Sequence, residues 1–216
     1  MRELQLLGNK YGTDKGDIHH TFAGRTYLDI YERYLSHLKD KPINFLEIGV
    51  RDGSSHRMWS DFFLDESQIY GIDIDPRCKQ SEKDNIKIFI GSQSNPEIIE
   101  DVAVHAAGTF DAIIDDGSHI NELTIKSFDL LFPYLKSGGV YIIEDLACSY
   151  LEEQLASDIV VGGWPGMQYN EGVEFVNRRK DIDNFFLQLI KKIDIGNTDL
   201  YDWVHFYSKI AIIKKQ

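Results

Sequence analysis

Short runs rich in Ile, Val and Phe alternate along the chain with segments whose apolar residues recur every three to four positions. The runs are Ile43–Ile48, Gln68–Ile74, Ile86–Ile90, Phe110–Ile114 and Val140–Ile143, each of strand length and β-branched or aromatic in character. Between them Ser54–Leu64, Pro96–Ala107 and Glu122–Leu135 keep helical spacing. Strand–helix alternation predicts a largely parallel sheet covered on both faces, a doubly wound, Rossmann-like α/β fold.

The two ends depart from that rhythm. Met1–Leu38 predicts a short helix, a turn over Tyr11–Gly16 and a longer helix carrying Tyr27, Tyr31 and Tyr34. Residues 1–40 therefore read as a helical cap on a single domain whose α/β core is 41–216. Near the C-terminus come a Gly-rich loop (Val161–Gly172), a helix (Val173–Ile193) and the runs Trp203–Tyr207 and Lys209–Ile213. With only Ser208 between them, the last two predict an antiparallel hairpin.

In an open α/β sheet, ligands bind beyond the carboxyl ends of the strands, so the residues there carry the chemistry. The first run ends in E-I-G-V-R-D-G (Glu47–Gly53). Its Gly49 and Gly53 are spaced Gly-x-x-x-Gly, not the Gly-x-Gly-x-x-Gly of dinucleotide sites, which suits a ligand without a pyrophosphate. Glu47 can face the cation of an amino-acid moiety. Asp73 ends the second run twenty residues past Gly53, where an acid commonly accepts hydrogen bonds from ribose hydroxyls. Gly91–Ser94 ends the third, and Ser92 and Gln93 can reach an adenine edge. Taken singly, a glycine turn is ordinary strand-to-helix chemistry and Asp73 a helix cap; their order and spacing together point to an adenosyl ligand.

The fourth run ends in D-D-G-S-H (Asp115–His119) and the fifth in I-E-D-L (Ile143–Leu146). Asp115, Asp116, Glu144 and Asp145 converging on one sheet edge would repel one another unless a cation sits among them. All-oxygen donors favour Mg²⁺ or Ca²⁺ over zinc. The plainer alternative is that Asp115 caps the next helix and Glu144 and Asp145 are solvated. His119 follows Asp116 by three residues, and an imidazole there suits a general base at neutral pH. The His19–His20 pair has no comparable acidic partners.

Composition narrows the functional classes. Of 216 residues, 23 are Lys or Arg and 35 Asp or Glu, a formal net charge of −12 that disfavours nucleic acid and anionic membrane surfaces as partners. No run approaches a membrane-spanning length, so no membrane insertion is expected. Residues 1–15 lack the apolar stretch of a signal peptide, and Cys78 and Cys148 make neither a disulfide framework nor a thiolate metal site. The expected compartment is the cytoplasm.

E-I-G-V-R-D-G, G-I-D-I-D, D-D-G-S-H and I-E-D-L, together with Y-G-T-D-K (Tyr11–Lys15) and W-V-H-F-Y (Trp203–Tyr207), resemble the class I S-adenosylmethionine-dependent methyltransferases. Within these the chain is similar to the metal-dependent sugar O-methyltransferases of the mycinamicin and tetracenomycin-rhamnose type. The resemblance implies S-adenosylmethionine and Mg²⁺ as cofactors, Asp116, Glu144 and Asp145 as metal ligands and His119 as catalytic base. It further implies Asp115 near the methionine end of the cofactor, Asp73 on the ribose, and five parallel strands followed by an antiparallel hairpin. Relatives often read His-Thr-Ser-Tyr after E-D-L, whereas this chain has Ala147-Cys148-Ser149-Tyr150, which puts a substrate contact near Tyr150 in question. Tyr11 and Trp164, in Gly-containing segments, are candidate substrate contacts. Tyr27, Tyr31 and Tyr34 read first as core.

The implied partner is a small-molecule or glycan acceptor offering a diol, and the Tyr-rich N-terminal helix offers a surface for a homo-oligomer. A catechol-type O-methyltransferase would use the same acids but ordinarily a lysine base. A cephalosporin-hydroxylase-like oxygenase would need two histidines and a carboxylate on iron, and a non-catalytic binding module would bind without turnover.

Overall fold

The computed structural model describes residues 2–16, 24–150, 178–196 and 200–216. Seven strands form one sheet: β1 (Asn44–Ile48), β2 (Gln68–Asp73), β3 (Ile86–Ile90), β4 (Phe110–Asp115), β5 (Leu135–Ile143), β6 (Tyr201–Tyr207) and β7 (Ile210–Lys215). Their order is β3-β2-β1-β4-β5-β7-β6. β1 to β5 run parallel, and β7 lies antiparallel to both β5 and β6. The strand order reverses between β1 and β4, and the crevice at their carboxyl ends is where such a sheet receives a ligand. This is the Rossmann-like arrangement that the alternation predicts.

Side-chain parity assigns each strand residue to a face, because successive residues of a strand point oppositely. Phe45, Ile69, Ile88, Ala112, Ile114 and Ile142 pack on one face with α1 (Glu3–Tyr11), α2 (Tyr27–Leu35) and α3 (Ser54–Phe62). Leu46, Ile48, Ile72, Ile113, Tyr141 and Ile143 pack on the other with α4 (Pro96–His105), α5 (Asn121–Leu131) and α6 (Arg179–Asp194). Trp59, Tyr27, Tyr31 and Phe45 are wholly buried on the first face, each such side chain stabilising the fold by roughly 1.5–3 kcal/mol. On the same parity Glu47 and Glu144 continue the first face and Asp115 the second. That division organises the site.

Local chemistry sets the element ends. Thr26 and Asp29 form a reciprocal capping box that starts α2, and Asn95 caps α4 with Pro96 at its first position. Gly12, at φ 72°, ends α1 immediately after Tyr11, so Tyr11 is the last residue of a helix and not a loop residue. β5 begins at Leu135, five residues before the apolar run: a Cβ at Gly139 would lie 2.8 Å from the Asp111 carbonyl oxygen, a closeness that only glycine permits. The last two strands are joined by Ser208 and Lys209, the latter at φ 64°, in a two-residue hairpin turn. Among the described residues no helix is long and apolar enough to cross a membrane. The His19–His20 pair, the Val161–Gly172 loop with Trp164, and the first residues of the helix expected over Val173–Ile193 lie outside the described residues.

Candidate active site

β1 delivers the first half of the site. After Ile48 the chain turns at Gly49, whose φ of 92° and close approach to the β4 loop leave no room for a side chain. A Cβ there would overlap the carbonyl oxygen of Asp116. Gly49→Ala is therefore expected to store about 1–3 kcal/mol of strain and to lower the thermal midpoint by several degrees, read in a melt. An unchanged midpoint would show that the Asp116 loop yields freely.

Asp73, at the end of β2, holds this turn from beside. One carboxylate oxygen accepts the backbone N–H groups of Val50 and Arg51 at 2.8 and 3.0 Å, and the other accepts that of Asp75 at 2.8 Å. Gly53, at φ 74°, then opens α3. Gly49, Asp73, Ser92, Gln93, Gly117 and Leu123 line a cleft above the carboxyl ends of β1 to β4. Ile48, Ile72, Gly91 and Ser118 also line it. Glu47, Gly49, Asp73, Ser92 and Gln93 are thus gathered at one end of the sheet from three strands. A second hollow, at Arg2, Arg25, Asp29, Glu32, Arg33 and Tyr207, is lined by side chains that pair with one another, such as Arg2 with Asp29 at 3.1 Å.

Asp115 and Asp116, adjacent in sequence, serve opposite faces. Asp115 points under α5, where Ser127 donates to it at 2.5 Å and the Gln93 amide at 3.1 and 3.2 Å. The Tyr141 hydroxyl approaches at 3.4 Å. Burial raises its pKa against the hydrogen bonds from Ser127, Gly117 and Gln93. Its carboxylate thereby fixes Gln93, whose side-chain oxygen accepts the Ser118 N–H at 2.8 Å and so shapes the D-D-G-S-H loop. Asp115, expected from resemblance near the methionine end of a cofactor, is here the centre of a hydrogen-bond hub beneath the loop.

Asp116 faces the acids. Its Oδ1 lies 3.9 Å from His119 Nε2, and Asp145 Oδ2 lies 3.7 Å from the same nitrogen. One ligand atom from each of Asp116, His119 and Asp145 falls within 4.8 Å of the others, a spacing that a single cation can bridge. His119 and Asp145 both hold left-handed backbone, φ 56° and 51°, and strain of this kind in non-glycine residues gathers at functional sites. Without it, parity would turn Asp145 to the far face from Glu144. The Tyr27 hydroxyl donates to Asp145 Oδ1 at 2.9 Å.

A second group lies just beneath. Glu47, Asp116 and Glu144 also present oxygens within 4.8 Å of one another. Its centre holds the ammonium of Lys15, 2.5 Å from Asp116, 2.8 Å from Glu144 and 3.2 Å from Glu47. Burial works against the charge on Lys15, but the three carboxylates outweigh it and lift its pKa well above the ordinary lysine value. Burial, together with the charge of Asp116, raises Glu144 well above the carboxylate range despite Lys15. Burial raises Asp116 to about 6, with Lys15 and His119 pulling the other way. Tyr31 is wholly buried beside them, its pKa raised by burial and by Glu144. Glu47 also accepts from Ser55 at 2.7 Å and from the Trp59 indole at 2.9 Å.

The acids expected as one ligand set are thus divided: Asp116 and Asp145 stand with His119, while Glu144 turns to Lys15. Lys15 and Tyr27 escaped the sequence reading. Tyr27 was visible only as core, and Lys15 only as part of Y-G-T-D-K. Tyr11, a candidate substrate contact, donates to Asp61 of α3 at 2.5 Å. Tyr150 is exposed, with the Arg179 guanidinium 4.3 Å from its ring centre.

Residues 46–146 match a family model described as a methyltransferase domain. A curated relative, the 8-demethyl-8-alpha-L-rhamnosyl tetracenomycin-C 2'-O-methyltransferase of Streptomyces olivaceus, is 36% identical over 154 residues, 68% of this chain and 38% of that protein. Mycinamicin VI 2''-O-methyltransferase of Micromonospora griseorubida is 36% identical over 155 residues, 68% of this chain and 37% of that protein. The chain thus spans well under half the length of the curated relatives it matches. Among solved structures, MycE methyltransferase from the mycinamycin pathway, in complex with Mg, SAH and mycinamycin VI, superposes with a TM-score of 0.75 at 29% identity. That match covers 99% of this chain and 54% of the other.

Proposed function

We propose that this chain, similar over its sheet to sugar O-methyltransferases, transfers a methyl group from S-adenosylmethionine to a hydroxyl of a sugar or glycosylated small molecule, assisted by a divalent ion. The observation that carries the reading is the meeting of His119, Asp116 and Asp145 at the β4 and β5 ends of a glycine-walled cleft whose β2 end holds Asp73. The donor set fits a hard cation. Asp116 and Asp145 supply carboxylate oxygens, and Glu144, though turned to Lys15, is the next acid to hand. The cleft suits an adenosyl ligand in its chemistry: Asp73 is an acid within the lining that would meet the ribose, and Ile48 and Ile72 give the lining an apolar part.

A sugar hydroxyl is a poor nucleophile at neutral pH. His119 is the base this reading assigns to take its proton, with Asp145 3.7 Å and Asp116 3.9 Å from its Nε2. Tyr27 orients Asp145 from below. When bound, the divalent ion supplies Lewis acidity toward the acceptor hydroxyl and S-adenosylmethionine supplies the methyl on its sulfonium. Asp73 and the residues of the Gly49 turn would hold the donor in the cleft, beside the acids that would hold the ion.

A catechol-type reading asks for a lysine base. The lysine that reaches the acids is Lys15, and three carboxylates keep it protonated, so His119 is the better base. An iron oxygenase asks for two histidines. Among the described residues only His119 joins a carboxylate group that could hold a metal.

Calorimetry of the purified protein with S-adenosylmethionine and with NAD, in Mg²⁺ and in chelator, tests the reading. Binding of the sulfonium ligand alone supports it, and mass spectrometry of glycosylated acceptors should then show gain of one methyl. Binding of NAD in its place would sink it. Asp73→Ala is expected to weaken S-adenosylmethionine at least about tenfold, roughly 1.4 kcal/mol. It should also lower the melting point, because three backbone N–H groups lose their acceptor. Affinity unchanged in a folded variant would remove Asp73 from the ribose.

A further inference from the structure

The two carboxylate groups share Asp116, and the sharing is oxygen by oxygen. Its Oδ2 meets Lys15 in the inner group, while its Oδ1 faces His119 in the outer one. A carboxylate placed this way is how two-metal sites, with ions about 3.5–4 Å apart, bridge their cations. Here the inner position is taken by protein. Lys15 is 2% exposed and Glu47 wholly buried. An ammonium has three N–H donors, and three carboxylates surround this one. Glu47 Oε1 accepts no hydrogen bond among the described residues, so the 3.2 Å approach of Lys15 is what answers it.

The lysine is delivered by a fixed backbone and not by a loose loop. Asp14–Gly16 forms a 3-10 turn, tied by Asp14 to Arg51 at 2.7 Å across the β1–α3 turn. Gly16 packs so closely that a Cβ would lie 2.7 Å from Gln5 and 2.9 Å from Leu28.

We propose that Lys15 is a built-in cation standing where a second divalent ion would otherwise bind, so that the cluster takes one exchangeable ion, held by Asp116 and Asp145 beside His119. Lys15 is a positioning residue: it holds Asp116 and Glu144 in place and leaves one oxygen of Asp116 for the outer ion. The inner position stands on the Lys15 geometry; the count of one outer ion rests on the metal reading above.

The test counts Mn²⁺ bound to the purified chain by equilibrium dialysis and electron paramagnetic resonance, in wild type and in Lys15→Met, which keeps the length of the side chain and removes its charge. Wild type should bind one Mn²⁺. Lys15→Met should bind one more than wild type, with the spin-coupled spectrum of two ions sharing a carboxylate. Equal counts overturn the proposal, as does a wild type that binds two. If Lys15→Met folds only when Mn²⁺ is supplied, the ion is replacing the ammonium and the proposal stands; a variant that stays unfolded through millimolar Mn²⁺ overturns it. A wild type that binds none removes the outer metal reading, yet one Mn²⁺ gained by Lys15→Met would still establish the inner position.

Discussion

His119→Ala is expected to lower kcat by about 10²–10⁴-fold, the range a positioned general base contributes, while the Kd of S-adenosylmethionine stays within twofold of wild type. The imidazole is nearly buried and sits between Asp116 and Asp145, away from the Asp73 end of the cleft, so its loss should not reach the cofactor. One effect competes. At φ 56° histidine is among the side chains that left-handed backbone accepts best, and alanine is not, so alanine adds strain. His119→Asn separates the two, since asparagine tolerates left-handed backbone. Both variants should lose the same rate whatever their melting points, and added imidazole should restore part of it. If Asn restores the rate without a base, His119 acts by holding the loop and the proton acceptor is elsewhere.

Much of this site could be read from one-dimensional pattern, and what could not has a physical reason. The strand ends were visible because buried parallel strands are nearly continuous apolar runs, so the charged residues that follow them stand out. Parity within those strands also separates Asp115 from Asp116. Counting alternate residues from Ile113 or Ile114 puts one acid under α5 and the other beside Glu47, a signal present in the sequence but obscured by treating the two acids as a pair. Lys15 had no such signal. It meets Asp116 and Glu144 across 101 and 129 residues of chain, and nothing local to Y-G-T-D-K distinguishes a buried lysine from a solvated one. Tyr27 was legible as core, which it is; that its hydroxyl ends on Asp145, 118 residues away, depends on how α2 crosses the sheet. The left-handed turns at His119 and Asp145 were equally hidden, because neither residue advertises positive φ as glycine does.

Asp116→Asn is expected to weaken divalent-ion affinity at least about 100-fold and to remove activity with it, more than the 10–100-fold typical of residues that merely support a ligand. It should do so without destabilising the fold. Removing one partner of a buried ion pair usually costs about 3–5 kcal/mol, because a charge is left alone. Here Lys15 keeps Glu144 at 2.8 Å and Glu47 at 3.2 Å, so its charge remains compensated. The carboxylate that is lost was itself unfavourable. Burial raises the folded pKa of Asp116 from 3.8 to about 6, and a raised carboxylate opposes folding above that pH, the opposition fading as pH falls towards 4. At pH 7 the variant should therefore melt no lower than wild type, with any advantage shrinking as pH falls from about 6 to 4. Melts across that range, beside Mn²⁺ titrations, separate the two roles of this residue. A large loss of stability at pH 7 would mean that Lys15 depends on Asp116 more than on its two other partners, and that the inner group, not the outer, is what Asp116 chiefly serves.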